Sequence, residues 1–390
     1  MFSYRQKQMK TINIGIIGGG LMGKEVASAC GRWFSLNGYP VKVELKGVCD
    51  LDENTLNWYK RIPSVELLTT DYKKLLASEA VEVIYVAIPH HLHKNYYLEV
   101  LKAGKDLLAE KPFGIDLEAA MAITAEGEQL KRFVRCSSEM PFLPGPQRVI
   151  SEILSGSLGT IIEINAGFYH SGDMDPLKPI NWKRQAKYCG EIGVMGDLGM
   201  HVLHIPLRMG WLPKRVYAHL QKIITKRPDG KGGWAECDTW NNASLLTTVD
   251  IEGADVPMML EMKRLAPGET NSWSIEVLGT EGGVRYSTKD TKALWTYKRK
   301  QEQSWQRVDL GFQMAFPTIT GSIFEPGFTD CFMQMLAAYF AEREGMLDGR
   351  FGCVRPEEAV MSHKVFEAAL KSHKSKSAVE IDYRMSPIAM

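Results

Sequence analysis

The seven cysteines are scattered and odd in number, and none stands in a C-x-x-C pair. That leaves no disulfide framework to read; buried thiols in a reducing cytosol explain them. Neither sign of charge is in excess: 47 Lys and Arg face 46 Asp and Glu, for a formal net charge of +1. The broad basic footprint of a nucleic-acid binder is therefore missing. No stretch approaches the roughly 20 consecutive apolar residues of a membrane span. Residues 1–10 are polar and basic and lack the apolar core of a secretory signal. There is no internal repeat or low-complexity tract. The expectation is a cytoplasmic globular protein with neither a membrane nor a nucleic-acid partner, and 390 residues are too many for one ordinary core, so two domains are expected.

What the chain does have begins early. The apolar run at residues 12–17 leads into Gly18-Gly19-Gly20-Leu21-Met22-Gly23, and a helix-like stretch follows. N–H groups at a helix start are unpaired donors with partial positive charge, and glycines let a phosphate approach them, so this loop is where a dinucleotide's pyrophosphate would dock. Gly18 permits the turn, Gly20 the close approach and Gly23 the helix–strand packing. The next strand candidate, 41–49, ends at Asp50, whose carboxylate can bind the hydroxyls of an adenosine ribose and would repel a 2′-phosphate. No Arg or Lys follows in Leu51, Asp52, Glu53 and Asn54, which favours NAD over NADP. Asp50 lies beyond the usual spacing of about 20 residues, and the turn Asn37-Gly38-Tyr39-Pro40 in segment 31–40 absorbs the excess.

From residue 11 to about 140, short apolar strands alternate with helical patterns, as in a doubly wound parallel sheet covered on both faces. Strands are expected at 81–88, 106–109 and 133–137, with helices at 96–103 and 117–130. The proline cluster at 141–146 marks the boundary between residues 1–140 and 141–390. A helix at 147–154 then precedes consecutive strands at 160–169, 215–225, 242–250, 257–264, 273–278, 284–287 and 293–297. Strands without long intervening helices imply an antiparallel sheet, an α+β second domain. Helices are expected on one face of that sheet, with the other face toward the cofactor. Helical patterns return at 329–342 and 356–371, the latter packing back on the first domain.

Three further segments carry chemistry. Glu110-Lys111-Pro112 follows a parallel strand at the carboxyl edge where ligands of such sheets collect; a Lys there can hydrogen-bond a substrate hydroxyl and stabilise developing alkoxide charge. Ile88-Pro89-His90-His91-Leu92-His93 reaches the same edge, placing Pro89, His90 and His93 beside the cofactor. Asp197 and His201, four apart on an expected helix starting near Gly196 or Asp197, share one face. The helix N-terminus disfavours imidazolium, so His201 can accept a proton, while Asp197 can cap the helix, orient a hydroxyl or support the imidazole. A metal set of Asp197, His201 and His204, with His90, His91 and His93 nearby, matches no recognised spacing and leaves the glycine loop unexplained; no metal is expected.

The strand followed by Gly18-x-Gly20-x-x-Gly23, Pro89 with His93, Glu110-Lys111-Pro112 and Asp197-x-x-x-His201, in that order, resemble the Gfo/Idh/MocA oxidoreductase family over about residues 12–381. The resemblance implies an N-terminal Rossmann domain and a C-terminal domain built on a large, open, mostly antiparallel sheet through which dimers or tetramers form. It also implies a catalytic trio of Lys111, Asp197 and His201, with His201 the proton acceptor. The cofactor set is then Gly18, Gly20, Leu21, Met22, Gly23, Asp50, Pro89, His90, His93, Glu110 and Lys111. The substrate set is Glu139, Tyr169, His170, Trp182, Arg184 and His201. This chain departs from the family in three places. Trp182-Lys183-Arg184 replaces a Trp-Arg pair, leaving open which base reaches the site; Gly190-Glu191-Ile192-Gly193 replaces a run of glycines; and Glu139 stands near a position where Asn or Arg is common. The expected activity is NAD-dependent oxidation of a secondary hydroxyl of a sugar, glycoside or cyclitol, or the reverse. An NAD-retaining glycosidase or lyase working by transient C3 oxidation is one alternative, and a non-catalytic NAD-binding protein is another.

Overall fold

A computed structural model describes residues 10–301 and 303–383; the leader reading of residues 1–9 lies outside the described residues. The first part of the chain runs β1 (Lys10–Ile17), α1 (Leu21–Gly31), β2 (Val41–Cys49), α2 (Glu53–Tyr59), β3 (Leu67–Thr69), α3 (Tyr72–Leu76), β4 (Val83–Val86), α4 (His93–Lys102), β5 (Asp106–Ala109), α5 (Leu117–Gln129) and β6 (Val134–Cys136). All six strands are parallel, in the order β3-β2-β1-β4-β5-β6. Helices cover both faces, so β4 (Val-Ile-Tyr-Val) is buried at every position and β1 is buried from Ile14 to Ile17. Asp52, Asp71 and Asp116 cap α2, α3 and α5 through their side chains. The strand order reverses between β1 and β4, which opens a crevice beyond their carboxyl ends. The glycine loop leaves β1 there and Pro89 follows β4.

The remaining chain contains α6 (Pro144–Leu154), β7 (Ile161–Tyr169), α7 (Ala186–Cys189), α8 (Val194–Arg208), β8 (Pro213–Gln221), β9 (Lys226–Pro228), β10 (Trp234–Glu236), β11 (Asn242–Ile251), β12 (Ala254–Lys263), β13 (Ser272–Gly279), β14 (Gly282–Ser287), β15 (Ala293–Lys298), β16 (Gln306–Asp309), α9 (Phe328–Arg343), α10 (Pro356–Ser375) and β17 (Val379–Glu380). Nine of these strands form one sheet, β16-β15-β14-β13-β7-β12-β11-β8-β17, antiparallel except between β7 and β12. Helices α6, α8 and α10 pack on one face. A Cβ at Gly199 would stand 2.5 Å from the Phe366 ring, so this glycine lets α8 and α10 approach closely.

The other face does not look toward the crevice, contrary to the sequence expectation. Its cross-strand row Tyr217, Leu246, Met259, Asn165, Glu276, Arg285 and Trp295 lies away from the helices, and Tyr217, Leu246 and Met259 are exposed. The reason is α8: it fills the space between the two sheets, so the cleft-facing side is the helix-covered one.

Helices α9 and α10 reach back to the first sheet. α9 lies on α1, with Arg32 paired to Asp330 at 2.7 Å and Arg343 to Asp106 at 2.8 Å. α10 packs on α5, and the buried His363 accepts the Gly114 N–H at Nε2, 3.4 Å. Burial pushes the His363 pKa from 6.5 down to about 3. An unfolded chain takes up that proton near 6.5, so the neutral ring stabilises fully above this pH, and its contribution is lost as pH falls toward 3. The melting temperature is therefore expected to drop across that window, less steeply in His363→Gln; identical slopes would show that His363 plays no part.

Candidate active site

Hydrogen bonding in α1 begins with Lys24 N–H to the Gly20 carbonyl at 3.0 Å, so the N–H groups of Leu21, Met22 and Gly23 precede the first intrahelical bond. A Cβ at Gly20 would meet nothing within 4 Å, whereas at Gly23 it would lie 2.4 Å from the Gly18 carbonyl oxygen. The loop is thus open above Gly20 and packed shut below Gly23, a cradle for an anionic group. Asp50 sits beside it: Oδ2 accepts the Gly19 N–H at 2.7 Å and Oδ1 the Asp52 N–H at 2.9 Å. Each carboxylate oxygen keeps a second lone pair, enough for the two hydroxyls of a ribose. These features fit a dinucleotide. Gly18 has φ +96°, and a Cβ there would fall 2.2 Å from the Ala87 carbonyl oxygen. Gly18→Ala should therefore lower stability by about 1–3 kcal/mol and weaken NADH binding measured by nicotinamide fluorescence; unchanged binding would detach the loop from the cofactor.

Beyond the cradle, a cleft of about 560 Å³ runs between the two sheets. Asp197 lines it, in the first turn of a helix whose residues from Val194 to Leu207 are all buried. Lys111, just past β5, donates from Nζ to the Asp197 carbonyl at 2.9 Å and to Oδ1 at 3.2 Å. Lys183 donates to the same Oδ1 at 2.9 Å, and Arg264, after β12, donates to Oδ2 through Nε at 3.2 Å and Nη2 at 3.0 Å. Burial alone would raise the Asp197 carboxyl; the charges of Lys183, Lys111 and Arg264 overcome that and hold it well below the usual carboxylate range. The two lysines shift in opposite directions. Burial lowers Lys183 with Asp197 its main counter-charge, whereas for Lys111 the charges of Asp197, Glu110 and Glu139 outweigh burial and raise it.

His201 stands one turn beyond Asp197. Burial, then the charge of Lys111, keep its pKa well below 6.5, so the ring is neutral near pH 7. The helix terminus invoked from sequence is not the main cause. Glu110 is oriented from behind, Oε1 accepting from the Tyr85 and Ser137 hydroxyls at 2.6 Å each.

The cleft brings together most of the residues named from sequence: Gly20, Leu21, Met22, Pro89, His90, Glu110, Lys111, Glu139, His170, Trp182, Asp197 and His201. Others go elsewhere. His93 is fully buried, its ring nitrogens 2.7 Å from the Pro112 carbonyl oxygen and 2.9 Å from that of Ile88, so it ties the Glu-Lys-Pro turn to the end of β4 instead of bordering the cofactor. Tyr169 points to the open face, donating to Glu261 at 3.0 Å, because side chains alternate along β7 and Phe168 takes the cleft side. Arg184 pairs with Asp173, and Lys183 is the base that reaches the site. Asp197 does not cap α8, which starts at Val194 after Gly193. The suggested metal set does not converge: His204 is buried with its ring 4.7 Å from that of Phe351, and among the described residues no group of three or more His, Cys, Asp or Glu could hold a metal ion. Sequence reading gave no role to Phe168, Asn271, Phe328 or Arg264. Phe168 differs from Tyr169 only by the phase of β7, which its run of mixed apolar residues does not fix, while Arg264 joins Asp197 across 67 positions with no local signal.

The chain matches the family model described as oxidoreductase family, NAD-binding Rossmann fold over residues 12–137, and the GFO/IDH/MocA C-terminal domain over residues 147–285. Together these span more than half of the chain, which belongs to the Gfo/Idh/MocA oxidoreductase family and takes NAD as its cofactor. Among curated proteins it is 24% identical to levoglucosan dehydrogenase of Pseudarthrobacter phenanthrenivorans over 75% of this chain and 76% of that one. It is 21% identical to the NADP(+) scyllo-inositol 2-dehydrogenase of Bacillus subtilis over 97% of this chain and 98% of that one. Among solved structures, levoglucosan dehydrogenase in complex with NADH and L-sorbose superposes with a TM-score of 0.86 at 22% identity, covering 96% of this chain and all of the other. Among the described residues no helix is long and apolar enough to cross a membrane.

Proposed function

We propose that the protein transfers hydride between NAD and a secondary hydroxyl or ketone of a sugar, glycoside or cyclitol. The observation that carries this reading is the meeting of Lys111, from the first sheet, with Asp197 and His201, from the helix on the second, in a single cleft that also contains the glycine loop. NAD, when bound, supplies the two-electron acceptor. The protein's part is placement and charge. Neutral His201 takes the hydroxyl proton, the Lys111 ammonium polarises the same oxygen as it becomes anionic, and Asp197 fixes Lys111. Glu139, His170 and Trp182 line the substrate end, with Lys183 beside them.

Residues 1–140 serve as the NAD domain and 141–390 as the substrate and assembly domain. The exposed Tyr217, Leu246 and Met259 on the open sheet face support a homodimer or homotetramer formed through that face. Seven unpaired thiols, six of them buried, support a cytoplasmic setting. The test is a screen of sugars, glycosides and inositols with NAD, followed by absorbance of reduced nicotinamide. Steady accumulation of NADH is expected with at least one polyol. Substrate consumption without NADH would indicate a redox-neutral glycosidase or lyase instead, and NAD binding without any turnover a non-catalytic binder.

A further inference from the structure

The Nδ1 of His201 lies 3.3 Å from the Ser138 hydroxyl and 3.7 Å from Glu139 Oε2. Both side chains of the His–Glu pair are more than nine-tenths buried. Nε2 is then the nitrogen left for a substrate hydroxyl. A carboxylate aimed at the far nitrogen of a proton-accepting imidazole fixes its tautomer and offers its proton a second resting place.

We propose that Glu139 is a positioning residue that acts through His201, taking from Nδ1 a proton as Nε2 collects one from the substrate hydroxyl. This rests on the dehydrogenase reading above. In the oxidation direction the substrate O–H bond breaks and its proton bonds to His201 Nε2. The two electrons of the carbinol C–H bond leave as hydride for NAD, the oxidant. The Nδ1–H bond breaks and its proton bonds to Glu139, so the ring ends neutral and the carboxyl protonated.

The surroundings of the pair favour such sharing. Glu139 faces Glu110 and Lys111 beyond β5, Tyr85 of β4, and Cys331 of α9, whose thiol donates to the Glu139 carbonyl at 2.7 Å. His201 faces Lys111, Asp197, His170 and Lys183. Burial, then the charge of Glu110, push the Glu139 pKa up to about 7. Oxidation needs the ionised carboxylate, so kcat should rise with pH through that value, and ketone reduction should fall through it.

Glu139→Gln is expected to lower kcat for polyol oxidation by about 10–100-fold and to flatten the rise near pH 7, with NADH binding retained. Glu139→Asp should restore part of that rise. In the cofactor-free protein, the infrared carbonyl stretch of a protonated carboxyl should disappear through about pH 7 in wild type and be absent in Glu139→Gln. That titration needs neither substrate nor NAD, so an error in the substrate reading leaves it standing. A Glu139 carboxyl that titrates in the ordinary range overturns the proposal. So does a Glu139→Gln pH profile that overlays the wild type, or one altered only by Ser138→Ala.

Discussion

Replacing Lys111 by Met is expected to lower kcat for polyol oxidation by about 10²–10³-fold. The ammonium is placed by two bonds to Asp197 at the base of the cleft, with little water to screen it, so its charge acts strongly on an oxygen losing its proton. Removing it should not unfold the site, because Lys183 and Arg264 still compensate the buried Asp197 carboxylate. The loss should therefore appear in kcat with the melting curve nearly unmoved. Turnover close to wild type would take Lys111 out of the chemistry.

His201→Ala removes the proposed proton acceptor and should cost about 10²–10⁴-fold in kcat. The ring packs edge-on against Phe168 at 5.3 Å, and the indole N–H of Trp273 donates to the His201 backbone carbonyl at 2.9 Å. That backbone bond survives the substitution, so α8 keeps its place while a ring-sized space opens. Added imidazole should enter the space and restore part of the rate as its neutral fraction rises with pH. Activity unaffected by the substitution, or a collapse of folding in its place, would deny His201 this role.

The sites of these two substitutions were legible in the sequence because each depends on local chemistry at the end of a regular element. Glycines after an apolar strand, a lysine after another and a four-residue spacing on a helix are all short-range patterns. The parallel-then-antiparallel division followed from strand rhythm in the same way. The short β3, α2 and α3 escaped because three to seven residues give too little periodicity to read. The site residues that were misplaced fail for definite reasons. Tyr169 and Phe168 differ only by the phase of β7, which a run of mixed apolar residues does not fix. His93 looked like a ligand because it follows a strand end, yet it supports the turn that carries Lys111. The contribution of Arg264 depends on how two distant segments pack, and no neighbour in the chain announces it. The open sheet face was wrongly turned toward the cofactor because the sequence does not say which side α8 will fill.

In the proposed reaction Lys111 and His201, one from each sheet's territory, act on a single hydroxyl beside the nicotinamide. The most direct test is the kcat of Lys111→Met, His201→Ala and the double variant on one polyol, read as NADH formation. Groups that act as a unit lose most of their effect together, so the double variant is expected to be scarcely slower than the worse single one. Losses that multiply in full, or single variants that turn over normally, would contradict the account.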